Sequence, residues 1–88
     1  MSTRAIEKYV KERDEVLKMF SVSKLSEFIK KNENIIGSDV VAMFERADET
    51  TKMAALCKMI CNATALQGTE TREKAVEWLK NHHMSTFV

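Results

Sequence analysis

The chain has 88 residues, of which 44% are apolar and 31% charged, and its formal net charge is +1. That balance is too apolar for a disordered chain, and too neutral for a domain that binds nucleic acid by neutralising phosphates or that mimics them. No run approaches the roughly 18 apolar residues of a membrane span and Met1 to Lys18 lack a signal peptide's apolar stretch, so a cytoplasmic protein with reduced thiols is expected.

Proline is absent, and glycine occurs only at Gly37 and Gly68, each where an apolar helical pattern stops. Without the punctuation that strands and long loops need, the chain reads as all-α, a compact bundle of about five helices forming a single domain over residues 1–88. The first helix is expected from about Arg4 to Met19 behind a cap at Ser2 or Thr3. On its wheel Arg4, Lys8, Lys11 and Lys18 share a face of roughly 80°, with Glu15 among them, while Ala5, Ile6, Tyr9, Val10, Val16, Leu17 and Phe20 occupy the opposite arc. Arg13 falls inside that apolar arc. Either its guanidinium pairs with an acid from the middle of the chain, Asp39, Glu45 or Asp48, or this part of the helix meets another chain.

A second helix is expected over about Lys24 to Lys31 behind Ser23, followed by a turn at "NENIIG". A third is expected behind Ser38, as its cap, to about Ala47. Together these invite a helix-turn-helix reading, but "SDVVAMFERADE" carries four acids against Arg46 and would meet phosphates with the wrong sign. Helices this short also argue against a simple up-and-down bundle.

The fourth helix, from about Asp48 or Thr50 to Leu66 or Gln67, is apolar over roughly 220° of its circumference, so the others should surround it. Cys57 lies inside this arc and Cys61 at its edge, which leaves Cys61 as the one thiol with a route to reactivity. Side chains four apart on a helix stand roughly 5–6 Å apart at Cβ, too far for a disulfide. The fifth helix is expected behind a cap at Thr69 or Thr71 to about His82, with an irregular tail over about residues 84–88. A hairpin about Gly68 could bring Cys57, Cys61, His82 and His83 to similar heights. Their spacing is not an established zinc pattern, however, so packing is the preferred reading and no cofactor is expected. The ending "STFV" has the form of a ligand for domains that bind C-terminal peptides, a match short enough to arise by chance.

No base is identifiable beside a nucleophile and there is no phosphate-cradling loop, so an enzyme is not expected. Charge is segregated: residues 1–31 hold eight Lys/Arg against five Asp/Glu, and residues 32–51 hold one against five. The expectation is a small regulator, inhibitor or adaptor that binds another protein, one with an acidic surface, through Arg4, Lys8, Lys11, Arg13 and Lys18 with Tyr9 as an aromatic anchor, or a homo-oligomer subunit. The alternatives are a nucleic-acid-associated regulator with a helix-turn-helix-like core and a Cys/His metal-binding protein.

Overall fold

The computed structural model describes residues 3–83 and is all-α. Six helices follow one another: α1 (Thr3–Lys18), α2 (Val22–Lys31), a single turn α3 (Glu33–Ile36), α4 (Ser38–Arg46), α5 (Glu49–Asn62) and α6 (Glu70–Asn81). A short 3-10 turn, Thr64–Leu66, joins the last two. The irregular tail expected over 84–88, with its C-terminal "STFV", lies outside the described residues.

The helix starts obey local hydrogen-bond chemistry. Ser21 caps α2, its hydroxyl accepting from the Lys24 amide at 3.3 Å, so the cap lies two residues earlier than the expected Ser23 and Val22 joins the helix. Asp48 caps α5 by accepting from the Thr51 amide at 2.7 Å, and Thr69 caps α6 by accepting from Arg72 at 3.3 Å. Each side chain satisfies an amide that a helix start leaves without an internal partner. Helix α4 begins at Ser38 itself, the residue expected as its cap, with Gly37 before it.

Two segments depart from expectation. "NENIIG" is itself helical, because the Asn32 carbonyl accepts from both Ile35 and Ile36 at 2.9 Å and so winds α3 before Gly37 takes its positive φ of 104°. The helix of the "MAALCKMICNATALQG" stretch ends at Asn62, not at Leu66 or Gln67. Ala63 turns extended, and the Gln67 side-chain amide donates to the Cys61 carbonyl at 2.9 Å, satisfying an acceptor that the broken helix leaves open. The 3-10 turn still delivers a fully buried Leu66 to the core.

The central helix is where the sequence puts it. α5 packs along α6 and also against α1 and α2, and it buries Ala54, Leu56, Cys57, Ile60 and Cys61. Leu17 of α1, Leu25 and Phe28 of α2, and Ala75 and Leu79 of α6 close around them. Burying a Leu or Ile side chain contributes about 1.5–3 kcal/mol, so this cluster is the main stabilising term. No helix of the described residues is long and apolar enough to cross a membrane.

Candidate functional site

Helix α1 divides into a charged side and an apolar side that packs only in part, because Ile6 and Val10, expected to face inward, are 48% and 37% exposed. Val16 and Leu17 enter the core with Tyr9, whose ring tilts against Phe28 with centroids 5.3 Å apart. On the far side Arg4, Lys8, Lys11 and Lys18 are exposed in one row, as their spacing requires. Lys18 pairs with Glu15 at 3.4 Å, whereas Arg4, Lys8 and Lys11 form no ion pair among the described residues.

Of the six residues expected to meet a partner, the fold therefore brings four together and separates two. Tyr9 is half-buried against α2. Arg13 sits well round the helix from the lysines and pairs with its neighbour Asp14 at 3.1 Å, not with an acid from α4 or α5. Two of the three expected acids are otherwise engaged: the Ser26 hydroxyl donates to Glu45 at 2.7 Å and Lys30 lies 3.6 Å from it, while Asp48 caps α5. The Ser26 bond, helped by Lys30 and Lys52, holds the Glu45 carboxyl below its ordinary value, and the bond from Thr51 does the same for Asp48.

Beside the basic row, α1 and α2 leave a groove of about 430 Å³ that periodicity alone does not reveal. Val16, Met19 and Phe28 give it an apolar floor, and Lys11 stands on its rim. Its three carboxylates are each matched by a lysine: Glu12 with Lys31 at 3.8 Å, Glu15 with Lys18, and Glu27 with Lys24 at 3.6 Å. The charge left over at this edge is thus that of Lys11, continued along α1 by Lys8 and Arg4. Met19 is 58% exposed although it is a large apolar side chain. The one clue in the sequence was the position of Met19 at the helix end, just beside the basic face.

The thiols are buried in the core, and of the two exposed imidazoles one stacks on an aromatic ring. Cys57 and Cys61 are both free and buried, and burial pushes the Cys57 thiol up to about 12 and raises that of Cys61 as well. Cys61 is only 8% exposed, so the route to reactivity expected from its edge position is closed. His82 stacks on Trp78 with centroids 3.8 Å apart, and its Nδ1 donates to the Trp78 carbonyl at 2.8 Å. Among the described residues, no group of three or more His, Cys, Asp or Glu side chains is placed to hold a metal ion. Compared with known proteins, the chain matches no family model, no curated protein and no solved structure.

Proposed function

We propose that the protein is a non-catalytic binding module that captures an acidic amphipathic segment of a partner protein in the α1–α2 groove. The observation that carries this reading is the adjacency of an apolar floor, Val16, Met19 and Phe28, to a row of unpaired cations, Lys11, Lys8 and Arg4. Apolar side chains of the partner fill the floor, and its carboxylates meet the row. Such pairing speeds encounter and sets register, while the buried apolar contacts supply most of the affinity.

The reading places the module in the cytoplasm as a regulator or adaptor, where free thiols such as those of Cys57 and Cys61 stay reduced. A synthetic amphipathic helix with Glu on one face and Leu and Met on the other is the direct probe. Titrated into the full chain at low salt, it should bind, and Lys8→Glu with Lys11→Glu should weaken binding at least about tenfold. Binding that survives both the reversal and high salt overturns the proposal.

A further inference from the structure

Resting on the reading of the groove as a site for an acidic amphipathic segment, we infer that a second copy of this chain supplies that segment: the α4–α5 corner, with Val40 and Met43 as apolar anchors and Asp39 and Glu49 as charges. Met43 is 61% exposed and Val40 45%, and Met43 and Met19 are the two most exposed large apolar side chains among the described residues. One lies on this corner and the other in the groove. Val40 and Met43 are three apart on α4 and so stand on one face, beside Ala47 and, from α5, Thr51 and Ala55. No described residue of the same molecule covers that face.

The charges complement those of α1. Residues 32–51 hold five acids against Arg46. Glu45 is engaged by Ser26 and Lys30 within the chain and Asp48 caps α5, but Asp39 and Glu49 are exposed and form no ion pair among the described residues.

The two surfaces do not meet within one molecule, because α2 stands between them. Ser26 and Lys30 on one flank of α2 reach Glu45 of α4, while Phe28 and Lys31 on its other flank line the groove. Pairing is therefore between copies: a two-fold dimer engages both contacts at once, and any other arrangement leaves one groove and one corner free for the next copy until a ring closes or a chain grows.

Sedimentation of the full chain tests this. At about 0.5 mM protein and about 20 mM salt the average mass should be at least about twice that of the monomer, and it should fall to the monomer mass in about 0.5 M salt, where exposed charges are screened. The variants K8E/K11E and D39K/E49K, each checked for helix content by circular dichroism, should both be monomeric alone. Mixed in equal amounts they should associate again, since the reversed groove of one fits the reversed corner of the other. A wild-type chain that is monomeric at low salt overturns the inference, as does a mixture that stays monomeric with both variants folded. If a variant fails to fold, the wild-type salt series decides. A monomeric wild type that still binds the synthetic acidic helix overturns only the pairing of copies, whereas one that binds neither removes the groove reading too.

Discussion

The Tyr9 ring lies against Phe28 at 5.3 Å, which assigns the one tyrosine of the chain to the α1–α2 contact and not to a free surface. Its ring helps hold the two helices that form the walls of the groove. Tyr9→Ala should therefore cost about 2 kcal/mol of stability, less than a fully buried aromatic because Tyr9 is only half-buried. Tyr9→Phe should be close to neutral. Urea unfolding followed by circular dichroism measures both, and equal midpoints for Tyr9→Ala and wild type would contradict this placement.

Glu45 ties α4 to α2 through Ser26 and Lys30, and its carboxyl is held below the ordinary value of 4.5, chiefly by the Ser26 hydroxyl. A depressed carboxyl contributes stability that is present above its unfolded value and lost as pH falls through its lower, folded value. Stability should accordingly decline below about pH 4.5 as Glu45 takes up a proton. In Ser26→Ala the urea midpoint should be lower at neutral pH and the further loss attributable to Glu45 on the acid side smaller. Identical acid profiles for the two proteins would show that the bond does not matter.

For the Cys57 thiol the sign is opposite. Burial, and then Cys61 nearby, raise it from 9.0 to about 12. Its contribution is thus fully present below about 9, where the thiol is neutral in both states, and is lost as pH rises toward 12. Two results should follow: iodoacetamide near pH 8 should label Cys57 only through unfolding, at a rate that rises with urea, and Cys57→Ser should destabilise by about 1–3 kcal/mol, because it buries a hydroxyl without a partner. Rapid labelling of the folded chain would refute this.

Thr69 acts twice at the hairpin between α5 and α6, its hydroxyl donating to the Leu66 carbonyl at 2.6 Å and accepting from the Arg72 amide at 3.3 Å. Thr69→Ala should cost about 1 kcal/mol, the usual loss of a helix cap. Thr69→Ser should keep most of it. Thermal unfolding separates them, with Thr69→Ala the lower in Tm.

The helices were legible where periodicity and caps agreed. The sequence offers Thr69 or Thr71 as the cap of α6 and the structure uses Thr69, and the broad apolar arc about Ile60 identifies α5 as the helix that the others surround. The break after Asn62 was not legible, because it depends on Gln67 reaching back to the Cys61 carbonyl, a contact that no hydrophobic pattern encodes. At the candidate site the lysine row could be read from spacing alone. The groove beside it could not, since it needs the relative placement of Met19 and Phe28 on two helices. Arg13 lies among apolar positions on the wheel, and what the wheel does not show is that Ile6 and Val10 on that side are exposed and that Arg13 pairs with the adjacent Asp14.

The most direct test of the account is residue-resolved: a nitrogen–proton NMR titration of the full chain with the synthetic acidic helix at low salt. The amide shifts should concentrate at Lys8, Lys11, Val16, Met19, Phe28 and Lys31, and should vanish in K8E/K11E. Shifts centred instead on Ile6, Val10 and Arg13, across α1 from the lysines, or no shifts at any residue, would contradict it.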